Sequence, residues 1–272
     1  MGDQRPIGLF DSGVGGLTIA REVFRLLPSE SVIYFGDTAH VPYGSRKTEE
    51  LIRFADEIIS FLVSCNVKYV IFACGTNSSL TLPVVRNFYQ VPMIGLVEPG
   101  AREAVKSTRN GRIGIIATEA TVESGAYQRA IKSLAPELKI FAQPASRLVP
   151  LVEAGLSGSE EVRQVVFEYV RPLKEAEIDT LILGCTHYPF LSAHFRASLG
   201  PEVSLVDPAA ATVLGARREM DRQGILNTSG RPAQCGYYVS GNPAGFLKTA
   251  QQLGYNIEPG QCRQLEKALS IC

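Results

Sequence analysis

The sequence predicts an α/β protein made of two similar halves with mostly parallel sheets, which would enclose a cleft if they face each other. Three observations predict it. Short apolar runs alternate with stretches of helical spacing. A pattern near the N-terminus returns, in order, in the middle of the chain. Two cysteines, Cys74 and Cys185, stand at equivalent places in that repeat.

Ile7–Asp11 is a short apolar run, followed by glycines and a helical stretch over 17–27. Residues 32–35 read as the next strand. Leu51, Ala55, Ile58, Ile59 and Leu62 then recur at helical spacing, and Thr48 with Glu49 and Glu50 makes a reasonable start. Residues 69–73 form a buried-type strand ending at Cys74, and 93–97 form another. Residues 113–117 open a second series: a helix over 122–134, a strand over 138–141 and a long helix over 160–176. Ser157 and Glu160 have capping-box spacing at its start. Thr180–Leu183 is a strand ending at Cys185, and 203–206 is another, followed by a helix over 209–220. A late strand over 237–240 precedes a helix near 245–253.

The repeat is carried by three segments. Ile7-Gly8-Leu9-Phe10-Asp11-Ser12 echoes Ile113-Gly114-Ile115-Ile116-Ala117-Thr118, Ile33-Tyr34-Phe35 echoes Lys139-Ile140-Phe141, and Val70-Ile71-Phe72-Ala73-Cys74 echoes Leu181-Ile182-Leu183-Gly184-Cys185. The expected domains are 1–97 with about 208–272 returning to it, and 98–207. Ligands of open parallel sheets bind beyond the carboxyl ends of strands. That rule puts Asp11, Cys74, Thr118 and Cys185 at comparable strand ends, with the cysteines on opposite walls of one cleft.

Composition removes several function classes. The 272 residues carry 27 basic and 27 acidic side chains, so no electrostatic grip on nucleic acid or an anionic membrane is expected. No stretch reaches the roughly 18 uncharged apolar residues of a membrane span. The polar start of the chain has no secretory core, and a cytoplasmic protein is expected. The six cysteines are then better read as thiols than as disulfides, and no Cys/His cluster has zinc spacing.

Asp11-Ser12-Gly13-Val14-Gly15-Gly16 follows a strand and opens a helix. Its glycines permit a tight turn whose amides can face an anion. It is no dinucleotide fingerprint, because Thr18 stands where a third glycine belongs, and no phosphate loop, because the Gly-Lys-Ser/Thr ending is missing. A glycine turn capped by Asp11 is the plain alternative. A lone cysteine after a strand is commonly a small buried hydrophobe. Two, at equivalent places and followed by hydroxyls in Cys74-Gly75-Thr76 and Cys185-Thr186, argue for function. Cys65, Cys235, Cys262 and Cys272 lack that setting. His187 can orient or titrate Cys185, whereas His40 and His194 read as structural. Tyr43, in the turn Val41-Pro42-Tyr43-Gly44, is a candidate to hydrogen-bond a ligand carboxylate. Thr118 and Thr121 serve equally as helix caps or ligand contacts.

These residues, with Tyr34-Phe35-Gly36-Asp37-Thr38-Ala39, Ser124-Gly125-Ala126-Tyr127 and Gly184-Cys185-Thr186-His187-Tyr188-Pro189, resemble the aspartate/glutamate racemase family over nearly the whole chain, and within it the glutamate racemases. The resemblance implies two facing α/β domains with the active site in the cleft between them, and an isomerase that interconverts L- and D-glutamate without pyridoxal phosphate or metal, supplying D-glutamate for peptidoglycan. It implies that Cys74 takes the α-proton of the D enantiomer and Cys185 that of the L enantiomer, assisted by Asp11 and His187 respectively. It implies substrate contacts at Asp11, Ser12, Tyr43, Gly44, Gly75, Thr76, Thr118, Thr121, Thr186 and His187. A homodimer is the expected assembly. The family's usual Cys-Asn-Thr-Ala reads Cys74-Gly75-Thr76-Asn77 here, so the Gly75 amide, or Asn77 from a shifted position, must stand in for the missing side chain. His40 stands where Arg is common.

Two acid/base groups suit racemisation, which removes a proton from one face of a carbon and returns one to the other. One sulfur must be thiolate while the other is thiol, yet an ordinary cysteine titrates near pH ~8.5, so neighbours must adjust both. The alternatives are a racemase of another acidic amino acid such as aspartate, with a pocket of different length, and a non-catalytic binding or regulatory protein on the same scaffold. A cysteine hydrolase is a further one, for which no oriented Cys–His–Asp/Asn set is legible.

Overall fold

The computed structural model describes residues 2–265. Cys272 lies outside the described residues. The elements run β1 (Ile7–Asp11), α1 (Leu17–Leu26), β2 (Val32–Gly36), α2 (Thr48–Ser64), β3 (Tyr69–Phe72), α3 (Gly75–Leu80), α4 (Leu82–Val85), β4 (Met93–Ile94) and α5 (Val97–Ser107). They continue with β5 (Arg112–Ala117), α6 (Glu119–Glu123), α7 (Ala126–Leu134), β6 (Lys139–Pro144), α8 (Leu148–Glu153), α9 (Glu160–Glu175), β7 (Thr180–Leu183), α10 (Ser192–Leu199) and β8 (Ser204–Val206). The chain then adds α11 (Pro208–Arg222), β9 (Cys235–Val239), α12 (Pro243–Gln252) and β10 (Cys262–Gln264).

The strands form two sheets, ordered β10-β9-β2-β1-β3-β4 and β6-β5-β7-β8, and every pairing is parallel. Parallel sheets need cover on both faces. In the larger sheet Val23, Tyr34, Val213 and Phe246 fill one face and Phe10, Ile58 and Phe72 the other. In the smaller, Leu148, Val166 and Phe195 oppose Ala101, Tyr127 and Ile131. The segment β2-β1-β3-β4 has the same order as β6-β5-β7-β8, so the repeat read in the sequence is a repeat of topology. It reaches single hydrogen bonds. Ala73 N–H donates to the Phe10 carbonyl at 2.9 Å, and Gly184 N–H donates to the Ile116 carbonyl at 2.8 Å. Asp37 N–H meets the Asp11 carbonyl, and Ala145 N–H the Ala117 carbonyl, both at 2.9 Å. In each sheet the chain order reverses between the first strand and its second neighbour, β1 beside β3 and β5 beside β7, which is where open α/β sheets bind ligands.

The structure corrects several local readings. The cap of α9 is Ser159, whose Oγ accepts from Val162 N–H at 3.2 Å, not Ser157. The 93–97 strand stops at Ile94, and Val97 begins α5, hidden in the sequence because Pro99-Gly100 looks like a breaker. Proline is tolerated in a first helical turn, where its missing N–H has no intrahelical partner. The helix over 122–134 is two, α6 and α7, divided at Gly125, whose φ of 63° only glycine adopts without strain. No disulfide joins the five described cysteines, and among the described residues no helix is long and apolar enough to cross a membrane.

A buried ion pair joins the segments that lead into β2 and β3, the two neighbours of β1. Lys68 Nζ lies 2.7 Å from Glu30 Oε2, with both side chains almost wholly excluded from solvent. The ammonium also donates to the Asp3 carbonyl at 2.6 Å. The other carboxylate oxygen accepts from Asn227 N–H at 2.7 Å. Removing one partner strands a buried charge. Lys68→Met is expected to cost about 3–5 kcal/mol in urea unfolding, and Lys68→Met with Glu30→Leu to recover part of it.

Candidate active site

The first wall of the site begins where β1 ends. Asp11 is completely buried, and its Oδ2 accepts from Gly16 N–H at 2.9 Å and Gly13 N–H at 3.1 Å. The carboxylate thus closes the glycine turn that starts α1. From below, the Tyr34 hydroxyl donates to the Gly13 carbonyl at 2.7 Å. Asp11 Oδ1 accepts from Thr186 Oγ1 of the other sheet's turn at 3.4 Å. Burial pushes the Asp11 carboxyl up, and the charge of His187 and the two glycine amides pull it back without cancelling the rise.

Cys74 caps α3 directly after β3 and is 4% exposed. Burial pushes its thiol far up and the Asp11 charge adds to that, while the amides of Asn77 and Thr76 oppose it. Cys185 occupies the matching turn after β7 and is 6% exposed. Its Sγ lies 3.7 Å from His187 Nδ1, and His187 Nε2 lies 2.6 Å from Glu153 Oε1. Burial alone would lower the His187 imidazole, but its bonds to Cys185 and Glu153 hold it well above the ordinary histidine value. Glu153 shows the reciprocal balance: burial raises it, and the bond and charge of His187 bring it below the usual carboxylate range.

Glu153 went unread in the sequence. It ends α8, 34 residues before His187, and nothing local marks it. It also accepts from Val14 N–H of the glycine turn at 3.2 Å, so one carboxylate touches both walls.

A cavity of about 60 Å³ lies between the two cysteine turns. That is room for about four to six waters, the displacement of one small amino acid. Ser12, Tyr43, Gly44, Cys74 and Thr76 line it from one side, and Thr118, Cys185, Thr186 and His187 from the other. Pro42, from the turn that carries Tyr43, and Ser45, Glu119, Ser146 and Val149, none of which the sequence singled out, complete the wall. Asp11, Thr121 and Gly75 stand behind it. The Thr118 hydroxyl lies 3.0 Å from that of Thr76 and 2.8 Å from that of Thr121, and it also caps α6. Thr118 is therefore both a cap and part of the wall. The Tyr43 hydroxyl donates to the Asp37 carboxylate, which also accepts from Ser240 Oγ at 2.6 Å and faces His40 Nδ1 at 2.8 Å.

Gly75 explains its own departure from the family pattern. A β-carbon there would run into the Gly184 carbonyl, so the two cysteine turns meet backbone to backbone. Asn77 is fully buried outside the cavity wall, where its Oδ1 accepts from Thr81 Oγ1 at 3.2 Å. It does not take over the missing contact at the cavity.

A larger groove of about 580 Å³, bordered by Arg86, Glu98, Arg102 and Arg129, contains none of the residues singled out in the sequence. Among the described residues no group of three or more His, Cys, Asp or Glu side chains is placed to hold a metal ion.

Comparison with known proteins agrees with this geometry. Residues 16–216 match the family described as Asp/Glu/hydantoin racemase. The glutamate racemase of Desulforudis audaxviator (strain MP104C) is 54% identical over 262 residues, covering 93% of this chain and 95% of that protein. The crystal structure of glutamate racemase isoform RacE1 from Bacillus anthracis superposes with a TM-score of 0.92 at 36% identity, over 97% of this chain and 98% of that one. That of the Francisella tularensis glutamate racemase in complex with D-glutamate gives 0.89 at 32% identity, over 97% and 98%. With a family match over most of its length and a relative so similar from end to end, the chain belongs to the Asp/Glu/hydantoin racemase family.

Proposed function

We propose that this protein interconverts L- and D-glutamate by proton transfer between Cys74 and Cys185, and so supplies D-glutamate for peptidoglycan in the cytoplasm. The observation that carries the reading is the pair of buried thiols, set at equivalent strand ends of a repeated unit and bordering one cavity of amino-acid size. The name shared by the curated relatives supplies the substrate.

The chemistry follows from the walls. One sulfur, as thiolate, takes the α-proton, and the opposite sulfur, as thiol, protonates the other face of the carbanion. By family analogy Cys74 serves the D enantiomer and Cys185 the L enantiomer. His187 lies against Cys185 and steadies its charge, and Glu153 steadies His187. Asp11, whose carboxyl burial pushes up, is the ionisable group available near Cys74. The lining hydroxyls of Ser12, Thr76, Thr118 and Thr186 are preorganised donors for the substrate carboxylates and for the charge that develops beside them. His187 is the only basic side chain among the lining residues, so recognition falls to neutral donors rather than to a guanidinium clamp.

The decisive experiment is α-proton exchange of both glutamate enantiomers in heavy water with no added cofactor, with aspartate run in parallel. Exchange and racemisation of glutamate are expected, falling about 10³-fold or more in Cys74→Ala and in Cys185→Ala. A normal rate in either variant would refute the two-thiol reading, and exchange confined to aspartate would reassign the substrate. A second expectation concerns Glu153→Gln. It removes one of the two groups that hold His187 protonated, so His187 should lose its proton at lower pH. The alkaline limb of the kcat profile should move to lower pH, and kcat above neutrality should fall about tenfold. The pH–rate profile of the variant against the wild type measures both.

A further inference from the structure

The two thiols of the cavity have unequal surroundings. Behind Cys185 stands a relay: Sγ to His187 Nδ1 at 3.7 Å, then His187 Nε2 to Glu153 Oε1 at 2.6 Å. Cys74 instead faces the Thr76 and Asn77 amides, the Asp11 carboxyl and Cys185. The repeat duplicates the strands and turns but not the relay, because Thr76, where the second turn has His187, is a hydroxyl.

We propose that the free enzyme rests with Cys185 as the thiolate partner of a protonated His187 and Cys74 as the thiol, an assignment that rests on the reading that both sulfurs serve one reaction. The Cys185 proton moves to His187 Nδ1, and the sulfur keeps the electron pair. The pair stays neutral overall, and Glu153 remains a carboxylate against the Nε2–H. The reverse loading would put a thiolate on Cys74 against a buried carboxyl group.

The neighbours support this one-sidedness. Cys185 is faced by His187 and Tyr188 from its own turn, by Tyr127 from α7 and by Cys74 across the cavity. Cys74 is faced by Asp11 from β1 and by Tyr43. Asp11 and Glu153 are the charges beyond His187. Of all these groups only His187 becomes a cation by taking up a proton. The free enzyme is therefore loaded for the enantiomer whose α-hydrogen points at Cys185. Each turnover of that enantiomer leaves the opposite loading, which must be reset by proton exchange.

The test is iodoacetamide alkylation of the substrate-free wild type between about pH 6 and 8, mapped to each cysteine by peptide mass spectrometry. The Cys185 rate is expected to be nearly flat over the window, and the Cys74 rate to climb about tenfold per pH unit. In His187→Asn the Cys185 rate should climb as Cys74 does. A climbing Cys185 or a flat Cys74 in the wild type overturns the proposal, and a Cys185 that stays flat in His187→Asn removes His187 from it. If the closed cavity shields both sulfurs, the ultraviolet thiolate absorbance decides. A band lost in Cys185→Ala but kept in Cys74→Ala supports the assignment. No band, or one lost only with Cys74, overturns it. Neither measurement needs turnover, so a protein that fails to racemise glutamate still gives an independent answer.

Discussion

Two ladder hydrogen bonds fix the site: Ala73 N–H to the Phe10 carbonyl and Gly184 N–H to the Ile116 carbonyl. Each extends a parallel pairing one residue past the last regular strand position, and the next residue is a cysteine. In an open parallel sheet that is the point where chain direction switches sides and where helices leave a gap. Because both sheets use the same order, both thiols are delivered by the same device. The glycine turn, the Thr118 cap and the His187–Glu153 pair are arranged around positions that the ladders have already set.

The thiols are fixed alike, but their electrostatics differ. Where the second half places His187 two residues after its cysteine, the first half has Thr76 at that place, and the buried carboxyl group of Asp11 stands nearby. A low-dielectric cavity magnifies such differences, since an unpaired charge there has little solvent to turn to. The Lys68–Glu30 pair shows how this protein handles buried charge elsewhere, with each ion held by a counter-ion and by backbone groups. Glu153 follows the same rule, bound at once to His187 and to an amide of the opposite wall.

How much of this was legible in the sequence depends on how local each signal is. The parallel α/β architecture and the repeat were readable because buried strands are short apolar runs and the echo between Val70–Cys74 and Leu181–Cys185 keeps its order. Cys74 and Cys185 could be picked because they stand at equivalent ends of such runs, whereas Ser12 and Thr186 came with the family resemblance. Glu153 could not, because its role arises from the packing of α8 against a turn far along the chain. Helix α5 was hidden by a Pro-Gly pair that a first helical turn absorbs. The capping-box spacing of Ser157 and Glu160 misleads because the cap is set by which hydroxyl reaches the Val162 amide, and that is Ser159. Strand β10 is three residues long and has no periodicity to detect.

The meeting of the two halves has a further consequence for substitution. At Gly75 the contact is backbone on backbone. At Gly15 a β-carbon would sit 2.5 Å from Thr186 Oγ1 and 2.6 Å from His187 Nδ1, and at Gly44 one would sit 2.8 Å from the Thr118 β-carbon. At these places the glycine has no side chain to trim, and enlarging it wedges the turns apart. A change at any of these three glycines therefore disturbs the partner turn, and with it the cavity that Gly44, Thr118, Thr186 and His187 line. Substitutions that leave these contacts alone are left to lining positions such as Ser45, Ser146 and Val149.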